Sequence, residues 1–255
     1  MKKSLLVAGA FVLPFSVVAS ADVLALLANQ ADQDAPAPVA ETTSVGPWYV
    51  AAAVGGTFAL DSDAKDGDTT FKFKTGVGVN LGVGYALSKS WAIEVRSGIL
   101  WNEIDGVNGS IPSLAGNSFD LGGGSGRIYQ VPVMASAIYS FPVSTSFTIG
   151  IKAGVGIQWT DIQADSITVS GMGAPTSTFG YDNRSTAFRW ELGVQTVHQI
   201  APNVRIGGGV IFSGTSEVDL GSPTYAGAPA FLPSRETKLD GLYNISLGFG
   251  INIAF

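Results

Sequence analysis

The stretch that decides the fold is D-G-L-Y-N-I-S-L-G-F-G-I-N-I-A-F, from Asp240 to Phe255. From Tyr243 onward, every second residue is large and apolar, and the residues between them are small or polar. A period of two indicates a β-strand whose two faces meet different environments. An exposed apolar face of this length would aggregate in water. We therefore predict a strand with one face towards lipid and the other towards a barrel lumen.

The composition favours an all-β protein that is secreted or lies in a membrane. The chain has 255 residues, including 33 glycines, only 13% of its residues are charged, and its mean hydropathy is +0.30. A net charge of −6 argues against nucleic acid as a partner. The absence of cysteine excludes disulfides, thiol catalysis and cysteine metal sites.

The N-terminal residues have the pattern of a secretory signal. Two lysines at positions 2 and 3 precede the apolar run Leu5–Val18, and Ala19-Ser20-Ala21 resembles a cleavage site. The apolar run is shorter than the roughly 20 residues that a spanning helix needs. We predict a signal peptide over 1–21 and a periplasmic linker over 22–46.

Seven further segments repeat the alternation of the last stretch. The eight predicted strands are Pro47–Leu60, Phe71–Ala86, Trp91–Ile104, Arg127–Ser140, Ser146–Thr160, Ser185–Ile200, Val204–Glu217 and Asp240–Phe255. Short turns follow the second, fourth and sixth strands, and longer loops follow the others. This arrangement is typical of outer-membrane barrels. The predicted fold is an all-β, eight-stranded, antiparallel transmembrane up-and-down β-barrel over residues 47–255.

The aromatic residues of the predicted strands fall at two heights, as expected where rings meet lipid headgroups. The set near the short turns is Tyr85, Trp91, Tyr139, Phe147 and Phe255. The set near the long loops is Phe71, Phe73, Trp101, Tyr129, Trp159, Phe188, Trp190, Phe212 and Tyr243. A soluble β-sandwich has no reason to sort its aromatic residues in this way.

From about Trp48 to Phe255 the chain resembles the OmpA/OmpX-type small outer-membrane β-barrels. The end of the last strand is similar to the insertion signal that the barrel-assembly machinery reads, with Gly250, Ile251, Ile253 and Phe255 as the matching residues. The polar residue expected two positions before that glycine is replaced by Gly248. The resemblance implies a place in the bacterial outer membrane, contact with its lipid and lipopolysaccharide, and both termini in the periplasm.

Charged residues on the predicted inward faces are the candidate site. They are Lys72, Lys74, Glu94, Arg96, Lys152, Arg189, Glu191 and Arg205. Lys152 and Glu191 lie at similar heights on neighbouring strands, and buried charges need partners. One interpretation is a salt-bridged plug that fills the lumen. The other is a narrow, cation-lined conduit that favours small anions, since many inward glycines would loosen the packing.

We predict no catalysis, no cofactor and no metal. The single histidine, His198, falls on an outward face near a short turn. In sequence it lacks the nearby serine or carboxylate that barrel hydrolases pair with histidine. We therefore interpret it as an interfacial side chain.

The predicted function is structural or surface-interacting, in the manner of an adhesin, and long loops carry it because loops on rigid scaffolds carry binding. The loops are Asp105–Gly126, Asp161–Arg184 and Val218–Leu239. We expect their aromatic residues to be exposed for contact with an extracellular ligand: Phe119, Phe179, Tyr181, Tyr225 and Phe231. The alternative function is a narrow passive channel for small anions.

Overall fold

The computed structural model describes residues 46–65, 68–112, 118–170, 177–226 and 236–255. The strands are β1 Trp48–Ala59, β2 Ser62–Asp63, β3 Asp68–Phe73, β4 Thr75–Ala86, β5 Trp91–Pro112, β6 Ser118–Pro142, β7 Phe147–Ser170, β8 Ser177–Ala201, β9 Val204–Thr215, β10 Val218–Gly221, β11 Thr224–Ala226, β12 Thr237–Leu239 and β13 Tyr243–Ala254. In these ranges no helix has the length and apolar character needed to span a membrane. The predicted signal peptide and, apart from Gly46, the predicted linker lie outside the described residues.

Eight strands close into one ring in which every neighbour is antiparallel. β1 pairs with β4 on one side, beginning with Trp48↔Tyr85, and with β13 on the other, beginning with Tyr49↔Ala254. The ring continues through β5, β6, β7, β8 and β9 back to β13. Closure leaves these strands without a free edge in this part of the molecule. The predicted eight-stranded barrel is confirmed.

Tight turns join the strands at one end of the barrel, which we name the turn end; the opposite end is the far end. Two of these turns are built alike. Ser88 Oγ accepts hydrogen bonds from the backbone N–H groups of Ser90 and Trp91 at 3.2 and 3.0 Å. Ser144 Oγ accepts from Ser146 and Phe147 at 3.4 and 3.1 Å. A serine at this position closes a turn through its side chain, as the short predicted turns require.

The outer face of the ring carries an exposed apolar belt, which we name the membrane band. Its residues include Val54, Val155 and Phe249, of which Phe249 is 76% exposed. Aromatic pairs border the band towards both ends. Those towards the turn end are Trp48–Tyr85 and Trp91–Tyr139, and those towards the far end are Trp101–Tyr129, Trp190–Phe212 and Phe212–Tyr243. Apolar side chains on this scale are stable when lipid covers them.

The ring has a tall wall and a short wall. β5 to β8 form the tall wall and have 22, 25, 24 and 25 residues, whereas β1, β4, β9 and β13 form the short wall with 12 residues each. At about 3.3 Å per residue and a tilt of about 40°, the longest strands rise about 60 Å, against an apolar band of about 25 Å. The prediction of long loops at 105–126 and 161–184 is therefore wrong, because most of those residues extend the strands.

Inside the far end, buried apolar side chains form a second core, which we name the far-end core. Its members are Phe71, Ile104, Val107, Phe119, Leu121, Ile128, Ile162, Ala164, Ile167, Val169, Phe179, Tyr181, Ala187, Val218, Leu220, Leu239 and Leu242. The predicted exposure of Phe119, Phe179 and Tyr181 is therefore wrong. Water replaces lipid outside the band, so apolar residues leave the outer face and fill the interior. Tyr225 is half-buried against this core, and Phe231 lies outside the described residues.

The alternation of inward and outward side chains breaks at Lys74, and this explains another wrong prediction. Lys74 and Thr75 are both exposed, so the alternation of β4 does not continue into β3. Opposite them, the pairing of β3 with β5 shifts between Lys72 and Phe73. As a result Phe71 is fully buried in the far-end core and Lys72 is exposed. The predicted outward face of Phe71 and the predicted inward faces of Lys72 and Lys74 are reversed.

Short strands complete the far end above the short wall. β3 pairs with the far-end part of β5, β2 pairs with β3, and β11 pairs with β8. β10 and β12 form a separate two-stranded sheet. Ala64 bridges Leu239, which joins the β2 side to this small sheet. The predicted third loop, 218–239, thus contains three short strands among its described residues.

Candidate functional site

The tall wall brings four of the predicted charges together in the lumen, and we name them the ion-pair network. Lys152 Nζ lies 2.5 Å from Glu94 Oε1 and 3.6 Å from Glu191 Oε1. Arg96 Nη2 donates a hydrogen bond to Glu191 Oε2. Glu94 and Arg96 come from β5, Lys152 from β7 and Glu191 from β8. The predicted pairing of Lys152 with Glu191 is present, and Glu94 and Arg96 are the further partners.

Neutral groups complete the coordination of both carboxylates. Ser136 Oγ donates to Glu191 Oε1 at 3.0 Å, and Tyr49 Oη donates to Glu94 Oε2 at 3.3 Å. A Cβ added at Gly154 would lie 2.4 Å from Ser136 Oγ, so the absence of a side chain there leaves room for the serine. A Cβ added at Gly84 would lie 2.0 Å from Tyr49 Cζ. These two glycines let the neutral donors reach the carboxylates.

A second layer, which we name the amide layer, lies beside the network towards the far end. Arg189 donates to Gln130 Oε1 at 3.4 Å, to Gln158 Oε1 and to Ser213 Oγ at 2.6 Å. Asn244 Nδ2 donates to Gln130 Oε1 at 3.1 Å. All five side chains are buried. Arg189 was predicted to face inward and does so, but its direct partners are neutral.

Three predicted lumen charges lie apart from this assembly. Lys72 and Lys74 are exposed at the far end, where Lys74 Nζ lies 3.6 Å from Glu103 and 3.5 Å from Asp105. Arg205 is exposed at the turn end and lies opposite Asn252 in the β9–β13 register. The structure therefore brings together five of the eight predicted residues.

A cavity of about 150 Å³ lies in the lumen on the turn-end side of the amide layer. Glu94, Arg96, Lys152 and Arg189 line it on the tall wall. Glycines and alanines line it on the short wall, namely Ala51, Ala53, Gly55, Gly78, Gly82, Gly207, Gly209, Gly248 and Gly250. The lumen thus has a charged side on the tall wall and a side of small and neutral polar residues on the short wall, and the cavity lies between them.

The far-end core covers the other side of the amide layer. Along β8 the buried inward residues run from Glu191 through Arg189 to Ala187, and further along the strand come Tyr181 and Phe179. Ile128, Ile162 and Leu242 are fully buried. Inward side chains change from polar to apolar within one strand. Towards the far end, the cavity is therefore bounded first by the polar amide layer and then by the far-end core.

The outer surface of the far end is polar and net acidic. Among the residues whose burial is described, it carries ten exposed carboxylates and six exposed cations. The carboxylates are Asp61, Asp63, Glu103, Asp105, Asp120, Asp165, Asp182, Glu217, Glu236 and Asp240. The cations are Lys65, Lys72, Lys74, Arg127, Arg184 and Lys238. A hydrogen bond from Lys65 lowers the pKa of Glu217.

Two tyrosines lie where this surface meets the far-end core. Burial raises the pKa of Tyr181. Burial, together with the neighbouring Tyr181, raises the pKa of Tyr225 to about 12. Their ring centroids lie 5.5 and 5.6 Å from that of Phe179, which sits between them. This aromatic trio ties β11 to β8 at the far end.

His198 is exposed on the outer face near the turn end, opposite Ile206 and Phe147 in the strand register, as predicted. Within the described ranges no group of three or more histidine, aspartate or glutamate side chains could hold a metal ion. The residues of the predicted assembly signal, Gly250 to Phe255, lie at the turn end of β13 and just after it. Their role in assembly stays a prediction.

Sequence reasoning missed the neutral members of the lumen assembly. Tyr49, Gln130, Ser136, Gln158 and Asn244 each lie on an inward face, and each hydrogen bonds within the ion-pair network or the amide layer. Their alternation with outward apolar residues was visible in the sequence. Their inward faces, rather than their charge, are the signal that identifies them.

Comparison with known proteins places this architecture in a family. The family described as the outer membrane protein beta-barrel domain matches residues 23–252. A comparison with curated protein sequences found no match.

Similar solved structures include three outer-membrane proteins. Neisserial surface protein A is 15% identical, with 83% of this chain and 99% of that chain covered and a TM-score of 0.38. OprG from Pseudomonas aeruginosa is 16% identical, with 82% and 97% covered and a TM-score of 0.45. The outer membrane protease OmpT from Escherichia coli is 10% identical, with 84% and 99% covered and a TM-score of 0.43. Identities this low concern the fold alone.

The family match covers most of the chain, including seven strands of the ring in full and β13 as far as Asn252. It agrees with the exposed apolar belt and the aromatic borders of the barrel. The predicted kind of barrel and its place in the bacterial outer membrane are thereby confirmed, and the chain belongs to the outer membrane protein beta-barrel domain family.

Proposed function

We propose that this protein is a non-catalytic outer-membrane barrel that anchors a rigid projection for surface interactions. The observation that carries the proposal is the far-end core, in which 17 buried residues pack between strands that continue beyond the membrane band. A packed core holds the projecting strands in one arrangement. A rigid support of this kind suits the presentation of a surface to a partner.

The proposed orientation puts the turn end and both termini in the periplasm and the far end outside the cell. Short periplasmic turns and long external segments are the usual plan of such barrels. Arg127, near the border of the membrane band towards the far end, lies 5.6 Å from the ring centre of Tyr129. A guanidinium held beside an interfacial tyrosine suits contact with the anionic groups of lipopolysaccharide.

The proposed contact surface is the polar exterior of the far end. Leu60, which is 41% exposed among the described residues, lies beside Tyr243 of the aromatic border. The excess of carboxylates on this surface would attract a basic partner and repel a polyanion. The partner chemistry we propose is therefore a positively charged protein or peptide, in place of the aromatic contacts expected from the sequence.

Binding of an oligolysine peptide to the barrel in lipid nanodiscs tests this surface. We expect binding that weakens as salt rises, because exposed charges are screened. Changing Asp165 and Asp182 to asparagine should weaken it further, whereas changing Lys65 and Lys238 to glutamine should strengthen it. Equal binding by all three proteins, or preferential binding of heparin, would contradict the proposal.

The alternative function, a narrow passive channel, is favoured by one observation, the cation-lined cavity. A conduit would need a continuous path past the amide layer and the far-end core. Planar-bilayer conductance separates the two functions. We expect no steady openings from the full chain. Steady anion-selective openings that diminish when Lys152 is changed to glutamine would favour the channel instead.

A further inference from the structure

We infer that the lumen holds a buried binding site for one small monovalent inorganic anion, of the chloride class, beside Arg189. The inference starts from charge balance. The lumen assembly contains two buried carboxylates, Glu94 and Glu191, and two buried cations, Lys152 and Arg189. A third cation, Arg96, pairs with Glu191 and its side chain is 13% exposed. The assembly therefore carries one excess positive charge. A buried charge without a counterion is costly, so a single bound anion would neutralise the assembly.

The excess charge lies at Arg189. Both carboxylates are engaged by Lys152 and Arg96, and Arg189 makes no salt bridge to any described residue. Its side chain is held by two glutamine oxygens and a serine hydroxyl. Arg189 is only 3% exposed, so water outside the barrel cannot serve as its counterpart.

A donor of Arg189 is also unused. A guanidinium has five N–H groups, all of them donors. The Nε of Arg189 is buried and has no acceptor among the described residues, and the same is true of the Nε of Arg96. Buried donors in folded proteins almost always have a partner. Two unused donors on side chains that line one cavity indicate an acceptor that the chain itself does not supply.

The space for that acceptor is present. Arg96, Lys152 and Arg189 line the cavity of about 150 Å³. A water molecule takes up about 30 Å³ in the liquid, so a small anion fits there with a few waters. The carboxylate that lines the cavity, Glu94, is paired with Lys152. The short wall adds small residues and neutral polar side chains such as Asn80 and Ser246.

Charge and size together select the anion. One excess charge matches a monovalent ion, whereas a phosphate dianion would leave the assembly negative. A cavity of about 150 Å³ favours a small anion over a large organic one. The site does not require conduction, and it can be present whether the barrel proves silent or conducting in a bilayer.

Thermal unfolding of the full chain in detergent tests the site with chloride or bromide against gluconate at equal ionic strength. A ligand that binds only the folded state raises Tm. We expect the wild type to unfold about 4 °C higher in chloride or bromide than in gluconate. Arg189→Gln removes the excess charge, and we expect it to abolish the difference. Glu94→Gln adds to the excess charge, and we expect it to enlarge the difference.

Arg184→Gln is the matched control, because Arg184 is 84% exposed and pairs with Asp161 outside the lumen. It should keep the wild-type response. An equal Tm in chloride and gluconate for the wild type would overturn the inference, as would an undiminished response in Arg189→Gln. If Arg189→Gln does not fold, bromide-soaked crystals of the wild type decide: an anomalous peak within hydrogen-bond distance of Arg189 supports the site, and its absence rejects it.

Discussion

On β7 the outward residues of the membrane band are Val155, Ile157 and Trp159, and the inward Gln158 and Thr160 are polar and buried. A few residues along the same strand, Ile162, Ala164 and Ile167 point inward and are fully buried, while Gln163 and Asp165 lie on the outer side. The membrane half is apolar outside and polar inside. The far half is polar outside and apolar inside.

This contrast shows that one continuous β-ladder can extend from lipid into water. The ladder between β6 and β7 runs without a register shift from Asp120↔Ser170 to Pro142↔Thr148, except that Gly124 and Ser166 lie outside it. Only the side chains change, and the change marks the boundary between lipid and water. The inversion between Thr160 and Ile162 therefore gives the height at which the membrane ends.

The largest predicted effect comes from placing a charged side chain in the apolar interior of the far half. Ile162→Asp puts a charge into the far-end core with no partner, and we expect a loss of about 4 kcal/mol in the free energy of unfolding. Thr160→Asp, two residues along the same face, should cost less than half as much. Thr160 already accepts a hydrogen bond from Gln158, which in turn accepts one from Arg189.

Urea unfolding in detergent micelles measures both changes, with Gln163→Asp on the outer face as the control. Proteolysis of the folded protein adds a local readout, since Ile162→Asp should expose the far end while the membrane half stays protected. Equal losses at 160 and 162 would mean that the two interiors do not differ.

A smaller effect tests the outside of the same strand. Val155 is 54% exposed in the membrane band, and an arginine there should cost about 3 kcal/mol on folding into lipid vesicles. Asp165→Arg, on the water side of the boundary, should leave the free energy almost unchanged. A comparable cost at both positions would place the boundary beyond Asp165.

The smallest effect concerns the aromatic trio of the far end. The pKa of Tyr225 is raised from 10.0 to about 12, chiefly by burial. The unfolded chain ionises first as pH rises, so this stabilisation is complete below pH 10 and is lost between about pH 10 and 12. Ultraviolet titration of tyrosine should show one late-ionising phenol fewer in Tyr225→Phe than in the wild type. Ionisation near pH 10 would mean that β11 does not shield the ring.

The membrane half could be predicted from the sequence because a period of two carries enough information there. The predicted strand Pro47–Leu60 became Trp48–Ala59, and Val204–Glu217 became Val204–Thr215. Each has a face that lipid must cover. The inward faces of Glu94, Lys152 and Glu191 followed from the same alternation, and the pairing of Lys152 with Glu191 followed from strand height. The pairing of Lys152 with Glu94 was not predicted.

The far half could not be predicted in this way. Alternation tells which residues share a face, but it does not tell which face is inside. Phe179 and Tyr181 alternate as the membrane aromatics do, and only the identity of the solvent decides that they are buried. The parity change beside Lys74 and the glycine-rich run 122–124 also interrupted the pattern, so continuous strands resembled loops.

The uninterrupted strands of the tall wall have a mechanical consequence. Tension applied to the far end would load β5 to β8 along their length, and the backbone hydrogen bonds of each ladder would bear the force together in shear. The more than 20 paired positions between β6 and β7 share such a load, whereas a flexible loop would pass it to a few bonds at its base. The hydrogen-bonded ladders that close the barrel therefore also set its resistance to tension.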